Sequence, residues 1–157
     1  MAKPRVRTGQ PTQVVALNLK RLRAERGLSV RALSERTREV SEGRGMTANA
    51  VSEVENGQRR VDVDDLIYLS LALDVAPVAL LMPTSRGSGD GGGAVELIIE
   101  GDPMYELDVW AWLTAAAPLP VLDEVSGEPV SIDSVDREAW RRRFVPRFAW
   151  KKEGSDG

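Results

Sequence analysis

Apolar residues in the first half of the chain recur every three or four positions, which is the spacing of amphipathic helices. After Pro11, this spacing places Val15, Leu19 and Leu22 on one face of a first helix. Pro11 suits a first-turn position, and Gly27 supplies the permissive residue at which such a helix ends. The pattern therefore predicts a first helix between Pro11 and Gly27.

Two further helices are marked by a hydroxyl residue, which can cap the unpaired backbone N–H groups of a first turn. Ser29 precedes a second helix that buries Leu33, and the polar, glycine-containing stretch 41–45 follows it. Thr47 precedes a third helix, which Gly57 ends. The inward residues predicted for the third helix are Ala50, Val51 and Val54.

Acidic residues and proline mark two more helices in the same half of the chain. Asp62 and Asp65 resemble a capping box at the start of a fourth helix. Pro77 begins a short fifth helix that Pro83 ends. The inward residues predicted for the fourth helix are Leu66, Leu69 and Leu73. The pattern therefore predicts a mainly α fold, with a compact five-helix bundle over residues 12–82 that follows an arm at 1–11.

The second half of the chain gives a weaker pattern. Glycine and serine dominate residues 83–94 and predict a flexible linker to a second unit at 95–152. We expect this unit to be small and α+β or partly disordered, and residues 153–157 to be a disordered tail. Its pattern predicts a strand at 94–100, a helix at 105–117, an extended segment at 120–132 and a helix at 134–145.

Histidine and cysteine are both absent from the 157 residues, which excludes several chemistries. Disulfides, thiolate nucleophiles, Ser-His-Asp triads and histidine-ligated zinc sites all require one of these residues. An enzyme would have to act through carboxylates, lysine, tyrosine or a bound cofactor, and we expect neither an enzyme nor a cofactor. The lack of cysteine fits a reducing cytoplasm, and no apolar run is long enough to cross a membrane. The N-terminus has no apolar core of a secretory signal, so we predict a cytoplasmic protein without membrane contact.

Charge is strongly segregated behind the net value of −3. Residues 1–60 contain 13 Lys and Arg against 6 Asp and Glu, whereas residues 83–136 contain 1 against 11. Residues 137–152 are again basic, with 7 against 1. A basic block that coincides with a structural unit indicates a polyanionic partner, and the alternative is a charged surface that only binds water.

The first half also resembles a known family. The segments "LKRLRAERGLSVRALSERT", "AVSEVENG" and "LDVAPVALL" occur in the order found in the helix-turn-helix domain of phage lambda repressor and Cro-like regulators, the XRE family. The resemblance covers residues 12–82. It implies a lambda-repressor-like bundle whose third helix lies in the major groove of double-stranded DNA. It further implies a sequence-specific transcriptional regulator, more specifically a repressor, that is bacterial or phage-encoded and nucleoid-associated.

Four residues of the third helix are candidates to contact base edges, because Val51 and Val54 take the inward positions. An asparagine such as Asn49 can pair with adenine through two hydrogen bonds, and Glu53 can accept from a cytosine amino group or repel wrong bases. The candidate base contacts are Ala48, Asn49, Ser52 and Glu53. The alternative is that these residues only face solvent.

The resemblance also implies that Glu55 turns inward and pairs with Arg23 of the first helix, which fixes the third helix against the first. Polar and basic residues around the second and third helices, and in the arm, are candidates for DNA phosphates or the minor groove. These candidates are Arg5, Arg7, Ser29, Arg31, Arg44, Thr47, Asn56, Gln58, Arg59 and Arg60. A solvated loop and a solubilising tail are the alternatives.

The chain departs from the family pattern in three places. The turn between the second and third helices is about seven residues longer than usual, and the second helix can run on to Val40. This insertion leaves the docking geometry of the third helix open. Ala32 replaces a common glutamate, and Ala76 replaces a common serine cap, so we expect a weakly capped fifth helix.

The second unit offers two clusters with open interpretations. An acidic cluster has the oxygen ligands that a divalent cation uses, but it lacks a glycine-pivoted loop, and solvated acids are favoured over a metal site. A basic and aromatic segment can clamp nucleic acid, fold back on the acidic residues, or join two copies. The acidic residues are Glu100, Asp102, Glu106 and Asp108; the aromatic ones are Trp140, Phe144, Phe148 and Trp150.

Two kinds of protein contact are also predicted. A homodimer would read two half-sites one DNA turn apart, with Trp110, Trp112 and Ile98 at its surface or else in a small core. The alternative function is a protein-interaction or antitoxin-like module, in which residues 95–152 bind a protein partner.

Overall fold

The computed structural model describes residues 9–83, 94–95, 104–122, 129–130 and 134–146. Its first five helices are α1 Gln10–Glu25, α2 Val30–Val40, α3 Ala48–Glu55, α4 Val63–Leu73 and α5 Pro77–Leu81. The remaining elements are β1 Ala94–Val95, β2 Met104–Tyr105, α6 Glu106–Leu113, β3 Val121–Leu122, β4 Pro129–Val130 and α7 Ser134–Phe144. The described part of the chain is mainly α, as the pattern predicts.

The predicted caps begin three of these helices. The Ser29 hydroxyl accepts a hydrogen bond from the backbone N–H of Ala32 at 3.0 Å, and Thr47 does the same for Ala50 at 3.2 Å. The Asp62 carboxylate accepts from the N–H of Asp65 at 2.8 Å. Each bond satisfies one of the N–H groups that a first turn leaves unpaired.

Two predicted helix boundaries are corrected. α1 begins at Gln10, with Pro11 in its first turn, so neither residue belongs to the N-terminal arm. α6 ends at Leu113 rather than near residue 117. The Thr114 hydroxyl bonds the carbonyl of Trp110 at 2.7 Å, and Ala115 takes a positive φ of 58°. That left-handed residue turns the chain away before Pro118 is reached.

α4 is followed by its C-terminal capping residue Asp74, which has a left-handed backbone with φ 52°. This conformation strains a residue with a Cβ by about 1 kcal/mol, and a carboxylate beside a helix C-terminus opposes the helix dipole. We therefore expect Asp74→Gly to raise the free energy of unfolding by slightly less than about 1 kcal/mol. The gain is reduced by a few tenths of a kcal/mol because glycine gives the unfolded chain more conformational freedom. Urea unfolding measures the change. Asp74→Asn is the matched control, because it removes the charge and keeps the side-chain shape; a gain as large as that of glycine would show that charge, not strain, is responsible.

The core of the bundle is formed by fully buried leucine and valine side chains from all five helices. The α1 residues Val15, Leu19 and Leu22 are buried as the spacing predicts. The most deeply buried members of this core are Leu19, Leu33, Val51, Val54, Leu69, Leu73 and Leu80. Full burial of each such side chain contributes about 1.5 to 3 kcal/mol, which makes this cluster the main stabilising feature of the bundle.

A second, smaller apolar cluster joins the bundle to the C-terminal unit. Val14 of α1 and Val109 of α6 are its buried members, and Met82, Met104, Trp112 and Leu113 pack against them. Beside it, the Asn18 amide donates to the carbonyls of Leu80 and Met82 at 3.1 and 2.7 Å. These bonds satisfy carbonyls at the end of α5. The C-terminal unit thus contacts the first helix directly.

The described strands of the C-terminal unit form two short antiparallel pairs. Ala94 pairs with Tyr105 in one, and Val121 with Val130 in the other. Strands are thereby observed within the predicted strand 94–100 and the predicted extended segment 120–132. α7 spans Ser134–Phe144, as the pattern predicts.

Candidate nucleic-acid interface

α3 presents one apolar face to the core and one polar side to the surface. Ala50, Val51 and Val54 are buried. Asn49 is exposed, while Ala48, Ser52 and Glu53 are partly exposed. The four candidate base-contact residues therefore lie on the outward side of the helix, although their contact with bases stays a prediction.

Two of these residues are hydrogen-bonded to each other. The amide nitrogen of Asn49 donates to the Glu53 carboxylate at 3.2 Å, one helical turn away. An asparagine amide has two N–H donors and a carbonyl acceptor, so this bond occupies one donor and leaves one donor and the acceptor. That remaining pair is what recognition of adenine requires. Glu53 therefore orients the Asn49 side chain.

The predicted pair between α1 and the end of α3 is present. The Arg23 guanidinium makes two hydrogen bonds to the Glu55 carboxylate, at 2.5 Å from Nε and 2.9 Å from Nη2. A third nitrogen, Nη1, donates to the carbonyl of Leu28 at 2.7 Å. The side chains are only 16% and 7% exposed. The hydrogen bonds to Glu55 raise the pKa of Arg23 above its usual value, against the opposing effect of burial.

The turn after α3 contains an ion pair that the sequence did not predict. Arg59 donates to the Asp65 carboxylate at 3.0 Å, with side chains 41% and 12% exposed. The phosphate candidate Arg59 is therefore held by α4, although its side chain is partly exposed. Asn56 donates to the carbonyl of Ser52 at 2.8 Å and so helps to cap α3. Gln58 and Arg60 are exposed on the same turn.

A second group of phosphate candidates lies near the start of α2 and on the turn before α3. Ser29 uses its hydroxyl as the cap described above, and Arg31 pairs with Glu35 at 3.1 Å. Both side chains of that pair are exposed, so the pair is weak and Arg31 remains accessible. Arg44 is exposed and donates from Nε to the carbonyl of Ser41 at 3.3 Å. Arg5 and Arg7, the candidates in the N-terminal arm, lie outside the described residues.

Gly57 lies where the turn after α3 approaches the first turn of α1. Its φ of 65° is left-handed, and the N–H of Gln58 bonds the carbonyl of Glu53 at 2.8 Å. A Cβ on Gly57 would lie 3.1 Å from the side chain of Gln13 in α1. The first turn of α1 and the turn after α3 therefore lie side by side.

The candidate residues of the C-terminal unit are only partly described. Trp112 packs in the small cluster, whereas Trp110 is 47% exposed. The rings of Trp140 and Phe144 lie 5.7 Å apart, and the Arg143 guanidinium lies 5.3 Å from the Phe144 ring centre. Glu106 and Asp108 lie in the first turn of α6. Ile98, Glu100, Asp102, Phe148 and Trp150 lie outside the described residues.

Two absences hold for the described part of the chain. None of its helices is long and apolar enough to cross a membrane. It contains no group of three or more acidic side chains arranged to hold a metal ion.

Comparison with protein families gives a match within the first half of the chain. Residues 15–81 match the family model described as a helix-turn-helix domain. At this level the predicted resemblance is confirmed for that segment. No curated protein matches the chain.

Several solved structures resemble part of the chain. The restriction-modification controller protein C.AhdI from Aeromonas hydrophila is 29% identical, with 44% of this chain and 94% of that chain covered, at a TM-score of 0.39. The clp gene regulator ClgR from C. glutamicum is 23% identical, with 46% and 86% covered, at 0.40. The DNA-binding domain of BldD is 29% identical, with 48% and 99% covered, at 0.37.

Proposed function

We propose that the helix-turn-helix domain at residues 15–81 binds double-stranded DNA in a sequence-specific manner, and that the protein is a transcriptional regulator acting as a repressor. The match of residues 15–81 to a helix-turn-helix domain carries this proposal. The outward position of Asn49 on α3 supports it. Since duplex DNA is the proposed ligand, we propose that the protein is bacterial or phage-encoded and associates with the nucleoid in the cytoplasm.

In the proposed complex, α3 enters the major groove with Asn49 facing a base pair. Ala48, Ser52 and Glu53 lie around it, and each can contribute to selection: a methyl contact, a hydroxyl bond, or acceptance from a cytosine amino group. The ion pair between Arg23 and Glu55 fixes this helix against α1, so its reading side is set before DNA arrives. Recognition then requires little rearrangement of the bundle.

Basic and polar residues on either side of α3 are proposed to grip the phosphate backbone. On one side they are Asn56, Gln58, Arg59 and Arg60, with Arg59 held in place by Asp65. On the other they are Ser29, Arg31, Arg44 and Thr47, together with Arg5 and Arg7 of the N-terminal arm. Such contacts fix orientation and carry no sequence information themselves, so base selection rests on α3.

The proposal is tested by selecting bound sequences from a pool of random DNA duplexes. We expect enrichment of one motif, and an affinity that falls steeply with salt, with a log–log slope of about −0.9 for each phosphate neutralised. Two copies on half-sites about 34 Å apart would give a palindromic motif and a two-to-one complex in sedimentation. Failure to bind any duplex at low salt contradicts the proposal. It would favour the alternative, a protein-interaction or antitoxin-like module acting through residues 95–152, where Leu107 and Trp110 of α6 are exposed.

Replacement of Asn49 by alanine tests the assignment of base reading. We expect Asn49→Ala to lower discrimination at one base pair by about 1–3 kcal/mol, because two hydrogen bonds to adenine are lost. Competition binding against single-base variants of the selected duplex measures this loss. Arg60→Gln is the control: it should weaken all sequences alike and reduce the salt slope by about 1. A uniform loss in the Asn49 variant would remove Asn49 from the reading set.

A further inference from the structure

The turn between α2 and α3 is held to α2 by two buried hydroxyl side chains. The Ser34 hydroxyl donates to the carbonyl of Met46 at 2.8 Å. The backbone N–H of Met46 donates to the Thr37 hydroxyl oxygen at 3.1 Å. Thr37 is 0% exposed, Ser34 5% and Met46 3%. The backbone N–H and C=O of Met46 are thus both hydrogen-bonded to side chains of α2.

The Thr37 hydroxyl has the single hydrogen and the lone pairs that this arrangement needs. Its hydrogen is donated to the carbonyl of Ser34 at 2.8 Å, with the carbonyl of Met46 at a longer 3.4 Å. Its oxygen accepts from Met46. Because Thr37 and Met46 are both buried, the loss of the hydroxyl would leave the N–H of Met46 buried without its partner. Only a hydroxyl residue fills this role.

Met46, whose backbone is fixed in this way, lies directly before Thr47, the capping residue of α3. Asn49 lies in the first turn beyond. A shift of the Met46 peptide is therefore transmitted through the cap to the first turn. Ser41, also buried, and Gly45, pressed against α2, hold the rest of the turn. The two ends of the turn, at Ser41 and Met46, are thus buried in the bundle, while Glu42, Gly43 and Arg44 between them are exposed.

We infer that Thr37 is a positioning residue for base reading: it sets the first turn of α3, and hence Asn49, without itself reaching the nucleic acid. This inference rests on the proposed function and deepens it, because it assigns part of the sequence selectivity to a buried side chain on another helix. It separates selectivity from most of the proposed phosphate grip, since Arg31, Arg59 and Arg60 lie outside the turn between α2 and α3, whereas Arg44 lies within it.

Thr37→Val, which is nearly isosteric and lacks the hydroxyl, tests the inference in the full-length protein. Two quantities are measured: hydrogen exchange at the Met46 amide, and the ratio of affinities for the selected duplex and for a duplex altered at the pair read by Asn49. We expect exchange about tenfold faster or more, a ratio about tenfold lower, and an unchanged salt slope. Thr37→Ser should restore both quantities to those of the parent protein.

A matched control and a second variant complete the experiment. Ser70→Ala removes a hydroxyl that is equally buried and donates to the carbonyl of Leu66 at 2.7 Å within α4; it should change neither quantity. Ser34→Ala removes the other bond to Met46 and should lower the ratio, which provides the test if Thr37→Val does not fold. An unchanged ratio in a variant whose Met46 exchange has accelerated would overturn the positioning role, as would unchanged exchange. If the parent protein binds no duplex, the proposed function fails instead.

Discussion

Replacing Glu55 by alanine is expected to lower the free energy of unfolding by about 3 kcal/mol or more. The carboxylate is 7% exposed and takes two hydrogen bonds from Arg23. Its removal leaves the Arg23 side chain, which is 16% exposed, with the Leu28 carbonyl as its remaining partner among those described above. A largely buried charge without its counter-ion costs about 3–5 kcal/mol, more than the intact pair contributes, because desolvation offsets most of the attraction.

Chemical denaturation of two further variants separates these effects. Glu25→Gln breaks the exposed pair between Arg21 and Glu25, whose side chains are 45% and 51% exposed, and should change stability by less than about 0.5 kcal/mol. The double change Arg23→Met with Glu55→Leu removes both charges and should recover at least half of the loss. If the Glu55→Ala variant is no less stable than Glu25→Gln, the pair does not lock α3 against α1.

Replacing Gly45 by alanine is expected to destabilise the bundle by about 3 kcal/mol, at the upper end of the cost of overpacking. A Cβ at this position would lie 2.3 Å from the backbone carbon and oxygen of Thr37 and 2.5 Å from the nitrogen of Arg38. These are backbone atoms in the last turns of α2, which cannot rotate aside as a flexible side chain would. The turn must therefore lift away from α2, and the hydrogen bonds to Met46 lengthen or break.

Gly43→Ala in the same turn provides the contrast. Gly43 has a φ of 90° and open space around its Cβ position, so alanine there meets conformational strain without a collision. We expect a loss of about 1 kcal/mol for Gly43→Ala, clearly smaller than for Gly45→Ala, in thermal or urea unfolding. Equal losses would mean that the close approach to Thr37 has no energetic consequence.

Local signals in the sequence predicted the features that depend on neighbours in the chain. The caps at Ser29, Thr47 and Asp62 and the left-handed Gly27 and Gly57 are set within a few residues of each helix end. The buried leucines follow from spacing alone. The pairing of Arg23 with Glu55 came from the family resemblance instead, since no local pattern joins positions so distant in sequence.

Features that depend on tertiary contacts were missed for the same reason. The length of the turn before α3 was visible, but its attachment through Ser34 and Thr37 was not, because a hydroxyl on a helix has no local sign of a distant partner. The pairing of Arg59 with Asp65 was hidden by the capping role that Asp65 also suggests. The early end of α6 at Leu113, just before the left-handed Ala115, has no sequence signal, since alanine rarely takes a left-handed backbone.

The packing of Val109 and Trp112 on Val14 has a thermodynamic consequence for the two halves of the chain. A ligand of the C-terminal unit can have an affinity that depends on the packing of α6 against α1. Binding of such a ligand is then coupled to binding at any site that α1 supports, including the turn beside Gln13. Linkage is reciprocal, so an occupant of one half alters affinity at the other by the same factor. A tryptophan within that contact makes such communication visible as a change in intrinsic fluorescence.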